Sequence, residues 1–98
     1  MTKIKPYDAA DYLDSPETIA AYFTEALESG DPSLITTAIG AVARAKGMSE
    51  IAERAGLSRE NLYRSLGGQA KPEFSTILKV LQAMEISLIA QPTENRAA

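Results

Sequence analysis

The 98 residues suit a single domain, and a hydrophobic fraction of 45% gives that domain one core and excludes a largely disordered chain. With neither cysteine nor histidine, there is no disulfide, no thiolate metal site, no cysteine nucleophile and no imidazole for acid–base work. The net charge of −3 argues against a nucleic-acid partner, yet residues 1–40 hold two cations against seven anions and residues 41–98 eight against six, and phosphates respond to local potential.

In chain order, residues 1–14 read as an irregular or briefly turned N-terminal segment, with Tyr7, Tyr12 and Leu13 as anchors. No apolar run behind Lys3 and Lys5 suits a signal peptide, and none approaches the roughly 18 residues of a membrane span, so a cytoplasmic location is expected. Ser15-Pro16-Glu17 is a helix start: a hydroxyl cap, proline in the first turn, then an acid. Ile19, Tyr22, Phe23, Ala26 and Leu27 follow at helical spacing until Ser29-Gly30. Asp31-Pro32 starts a second helix with a stripe of Leu34, Ile35, Ala38, Ile39, Val42 and Ala45, closed by Gly47. Gly40 inside it costs about 1 kcal/mol relative to alanine, which close helix packing would explain.

Ser49 is the expected cap of a short helix ending at Gly56, and Ser58 the cap of another ending at Leu66 before Gly67-Gly68. Pro72 is expected to open a fifth helix carrying Phe74, Ile77, Leu78, Leu81 and Met84. Ile86-Ser87-Leu88-Ile89 alternates and is β-branched, which suits a short strand. Residues 15–90 therefore form an all-α, five-helix domain with a possible short C-terminal strand, and residues 91–98 a polar, flexible tail.

Two short helices joined by a tight glycine-containing turn are the mark of a helix-turn-helix, placed here at residues 49–66. Ile51 and Leu62 reach the core, Ala52 is small where the second helix crosses, Gly56 makes the turn and Leu57 plugs the corner. Ser65 holds the late position that turns inward in such helices, which either a slight rotation of the helix or a packing role for Leu66 would accommodate. The outward residues are Arg59, Glu60, Tyr63 and Arg64. Arginine forks onto guanine edges, glutamate accepts from cytosine, and tyrosine stacks or reaches phosphate. An ordinary helical hairpin with a solvated arginine face has the same local pattern.

The stretches Ala43 to Ala52, Gly56 to Leu66 and Pro72 to Leu81 together resemble the addiction-module antidote proteins, also called probable prophage DNA-binding proteins. These belong with the HigA-like antitoxins of the lambda-repressor-like helix-turn-helix superfamily. Tyr7-Asp8, Tyr12-Leu13 and Ala26 to Pro32 match the same family, so the resemblance covers residues 7–90 and departs at Gly67 to Lys71. It implies an antitoxin of a type II module that neutralises a RelE/HigB-like toxin and, as a homodimer, represses its own operon at a palindromic operator. By the same resemblance Arg59, Glu60, Tyr63 and Arg64 contact bases or the groove. Ser58, Asn61, Gln69 and Lys71 are then expected on phosphates, with Lys46 and Arg44 further candidates beside their ordinary role at a helix C-terminus.

The acidic first third complements a basic toxin, which puts Tyr7, Asp8, Asp11, Tyr12 and Asp14 in that contact; the two tyrosines could equally pin the segment to the core. Residues 86–89 and the exposed ends of the first and last helices suit a dimer surface, or else 86–89 completes the monomer core. Other readings are a prophage regulator without a toxin and a purely protein-binding helical module. An enzyme has only the acid pairs Asp8/Asp11 and Glu25/Glu28 in its favour, so no catalytic residue, metal or cofactor is expected.

Overall fold

Serine, aspartate, proline and glycine set the helix ends in the computed structural model, which describes residues 9–67 and 70–93. Helix α1 (Pro16–Ser29) begins at extended Ser15, whose Oγ accepts from the Thr18 amide at 3.1 Å, and closes at Gly30. Helix α2 (Pro32–Lys46) begins at Asp31, whose carboxylate accepts from the Ser33 amide at 2.9 Å. Helices α3 (Met48–Ala55), α4 (Arg59–Ser65) and α5 (Phe74–Ala83) follow, and a 3-10 turn at Ala9–Tyr12 precedes α1. Over the described residues the fold is all-α with five α-helices, as the sequence indicates.

Three boundary expectations are corrected. Ser49 does not cap α3; the cap is Gly47, and Ser49 lies inside the helix. Gly47 ends α2 by donating its N–H to the Ala43 carbonyl at 2.8 Å and starts α3 by accepting from the Ile51 amide at 3.0 Å. One residue turns the chain because its φ of 109° is open to glycine, and the early start draws Met48 into the core. Pro72 does not open α5, which begins at Phe74 after Glu73. The buried stripe of α5 is accordingly Val80, Leu81 and Ala83 with Met84 just beyond, whereas Phe74 and Leu78 face solvent.

The third correction concerns residues 86–89, which form no strand. The Ile86 amide donates to the Leu81 carbonyl at 2.9 Å and Glu85 takes a φ of 61°, a helix-ending arrangement that turns the chain away from extended pairing. Ile86 packs on the core, while Leu88 and Ile89 are exposed.

Helix α2 is the central strut. Residues 38–43 are buried without a break, so this helix has no solvent face there, and its alanines and Gly40 let neighbours approach. It packs against α1, α3 and the 3-10 turn; α3 in turn packs against α4 and α5. Ile39, Val42, Ile51, Leu62, Val80, Leu81 and Met84 are fully buried, each contributing about 1.5–3 kcal/mol of transfer free energy for a side chain of this kind. Ala9 and Leu13 join this core, so Leu13 anchors the N-terminal segment, whereas Tyr12 is 60% exposed. Among the described residues no buried side-chain polar atom lacks a partner.

Candidate nucleic-acid interface

Helices α3 and α4 are joined by Gly56-Leu57-Ser58. Gly56 takes a φ of 75° and donates to the Glu53 carbonyl, and the Leu57 amide reaches back to the Ala52 carbonyl at 2.9 Å. Ala52, 2% exposed, offers only a methyl group in the core just before this corner. Ser58 then returns to extended backbone, and its Oγ accepts from the Asn61 amide at 3.0 Å. Such a cap is worth about 1 kcal/mol, a large contribution to so short a helix.

Within α4 only Leu62 is fully buried, and Leu66, just past its end, takes the inward position while Ser65 is half-buried. Leu66 packs beneath α2: a Cβ on Gly40 would stand 3.6 Å from the Leu66 Cβ. Arg59, Glu60, Asn61, Tyr63 and Arg64 are all left exposed. The four expected base-reading residues thus share the solvent side of one helix.

Two of them are held by helix neighbours. The Arg59 guanidinium lies 5.3 Å from the centre of the Tyr63 ring and donates to the Tyr63 hydroxyl at 3.4 Å. The Arg64 guanidinium donates to the Asn61 side-chain oxygen at 2.9 Å. Each guanidinium has five N–H donors, so both keep enough to fork onto an acceptor pair. These pairings follow i, i+4 and i, i+3 spacing, which is the signal the sequence carries for them.

The remaining expected contacts are dispersed. Arg44 lies at the C-terminal end of α4: its Nη1 is 3.7 Å from the point where a Gly40 Cβ would stand, itself 3.5 Å from the Leu66 carbonyl. Lys46 lines a shallow groove with Glu50, Arg54 and Glu85, where Arg54 and Glu50 pair at 2.8 Å. Lys71 lines a separate apolar hollow bounded by α1, α2 and α5. Asp11, Tyr12 and Asp14 are exposed on or beside the 3-10 turn. Tyr7, Asp8 and Gln69 lie outside the described residues, as does the end of the expected tail. Among the described residues no group of three or more carboxylates is placed to hold a metal ion, and no helix is long and apolar enough to cross a membrane.

Comparison with known proteins matches residues 3–92 to the family described as probable addiction module antidote protein. The chain is also 42% identical, over 89 residues, to an uncharacterized protein of Haemophilus influenzae, covering 91% of this chain and 92% of that one. No solved structure gives a significant match.

Proposed function

The chain belongs to the family of probable addiction module antidote proteins, and from that premise we propose that it is the antitoxin of a type II module that also represses its own operon. Its toxin partner is a basic RelE/HigB-like RNase, its operator is palindromic, and it acts in the cytoplasm as a homodimer. The observation that carries the DNA-binding role is the outer face of α4, where Arg59, Glu60, Tyr63 and Arg64 stand together on a helix fixed by Leu62 and capped by Ser58. Around that face the charge is favourable: residues 44–79 hold seven cations against four anions. One recognition helix reads only a few base pairs, so two copies on adjacent half-sites supply specificity. Ser58, Asn61 and Arg44 flank the reading face and serve the phosphates; Gln69, Lys71 and Lys46 are further phosphate contacts proposed from the resemblance.

The toxin-binding role is supported by charge. Asp11 and Asp14 open a run from residue 9 to residue 43 with six acids and no base, which complements a cationic partner. Tyr7, Asp8, Asp11, Tyr12 and Asp14 are proposed as part of that contact.

The test of DNA binding is fluorescence anisotropy with the DNA upstream of the protein's own gene. Affinity should exceed that for random duplex and fall steeply with salt; equal affinity for both duplexes would sink the repressor role. For the toxin, the adjacent reading frame should encode a small basic protein that co-elutes with this chain. Because Ala9 and Leu13 are core residues, the N-terminal contact is tested by point changes at Asp11, Tyr12 and Asp14 rather than by truncation. Undiminished co-elution would remove those residues from the contact.

A further inference from the structure

An antidote must hold its toxin, and exposed carboxylates steer a cationic partner more than they hold it: a surface ion pair is worth about 0–1 kcal/mol. Tight binding needs an apolar anchor buried at the centre of the contact. The hollow between α1, α2 and the start of α5 has that character. Its volume is about 790 Å³, and its walls include Phe23, Leu27, Ile35, Phe74, Ile77 and Leu88. Of these, Phe74 is 66% exposed, an unusual condition for a phenylalanine.

The charges next in sequence to the walls of the hollow say what it takes. Glu28 follows Leu27, Asp31 precedes Pro32, and Glu73 sits between Pro72 and Phe74; all three carboxylates are exposed, and the residues they adjoin line the hollow. Among the described residues Lys71 is the one cation lining it. Resting on the antidote reading above, we propose that this hollow is the toxin-docking site and receives an amphipathic, cationic segment of the partner, its apolar side chains in the hollow and its cations against Glu28, Asp31 and Glu73. A second copy of this chain suits the hollow less well. A two-fold interface sets a patch against itself and would bring the same three carboxylates together. No residue of α4 lines the hollow, so filling it leaves the proposed reading face open, although Lys71, a proposed phosphate contact, would be shared between toxin and DNA.

The experiment uses the full chain with Phe74→Cys, which places one thiol in a protein that otherwise has none. The rate of maleimide labelling is measured alone, with the co-encoded toxin, and with helical Lys/Leu and Glu/Leu peptides about five turns long. Toxin and the Lys/Leu peptide should each slow labelling by about tenfold or more at saturation, and the Glu/Leu peptide should not. Glu28→Lys with Glu73→Lys should weaken toxin binding about tenfold, with operator affinity and melting temperature near those of the parent. Toxin that co-elutes without protecting the thiol would overturn the docking site while leaving the antidote role standing. Absence of any co-eluting toxin sinks the antidote role, and the peptide pair still decides the hollow. Equal protection by both peptides, or protection that grows with the concentration of this chain alone, overturns the proposal, the second outcome in favour of self-association.

Discussion

In α1 and α4 a serine in extended backbone caps the first turn through its Oγ, 3.1 Å from the Thr18 amide in one and 3.0 Å from the Asn61 amide in the other. Both helices bury apolar residues on one side and leave the rest in water. Their wet faces differ in sign. Helix α1 exposes Glu17, Glu25 and Glu28 with no cation, whereas α4 exposes Arg59 and Arg64 with one acid, Glu60. Caps and buried residues are dictated by folding, but exposed charges are nearly free of that demand, since a surface change usually shifts stability by less than about 0.5 kcal/mol. The opposite charges of two helices built alike are therefore not a demand of folding, and the proposed function assigns them to two different partners.

The comparison breaks most sharply at the anchors. Helix α1 spreads its hold over Ile19 and Phe23, while α4 depends on Leu62, which is 0% exposed. Leu62→Ala should cost about 2–5 kcal/mol in urea denaturation, by lost burial and the cavity left behind. A loss below about 1 kcal/mol would mean that α4 is held by something other than Leu62.

The next effect separates the two wet faces. Arg59→Ala and Arg64→Ala should each weaken operator binding by about 1–3 kcal/mol in anisotropy titrations, and Glu28→Gln should leave it unchanged. Tighter binding by Glu28→Gln, comparable in size to what each arginine change loses, would show that net charge, not the α4 face, governs binding. Because the Tyr63 ring supports the Arg59 guanidinium, Tyr63→Ala should lose part of what Arg59→Ala loses, and the double variant less than the sum of the singles.

The shared cap is the third place to press. Ser15→Ala and Ser58→Ala should each lower stability by about 1 kcal/mol. Only Ser58→Ala should also weaken DNA binding, since its hydroxyl proton stands at the N-terminal end of the proposed reading face. Loss of DNA binding in both variants would mean that the effect travels through global stability.

Much of this was legible in the sequence because the signals were local. Ser15, Asp31 and Ser58 each cap the helix that follows, and the Gly56 turn with Ala52 and Leu62 needs only neighbouring residues to be read. What was missed depended on tertiary packing. Ser49 looks like a cap, yet core burial of Met48 and the backbone freedom of Gly47 start α3 earlier. Phe74 and Leu78 fit a helical stripe as well as Val80 does, and only the placement of α5 against α3 decides which are buried. The hollow was invisible for the same reason, since its walls come from residues as far apart as Phe23 and Leu88. Exposure of Arg59, Glu60, Tyr63 and Arg64 follows from helical periodicity and their pairing partners from helical spacing, and only the distances that hold the two arginines required coordinates.

The smallest effect concerns Gly40, for which close helix packing is the explanation that the sequence suggests. An added Cβ would meet the Leu66 carbonyl at 3.5 Å and the Leu66 Cβ at 3.6 Å, both ordinary van der Waals separations. Gly40 thus sits against the end of α4 without being squeezed by it. Two contributions favour alanine: helix propensity in the middle of α2, and contact with Leu66 where a glycine offers none. No conformational cost opposes them, because Gly40 is helical and has no positive φ. Gly40→Ala should therefore raise stability by about 0.5–1 kcal/mol, seen as a higher midpoint in urea. A loss instead would mean that α4 packs closer to α2 than these distances allow, and that its short, one-residue anchorage depends on Gly40 as well as on Leu62.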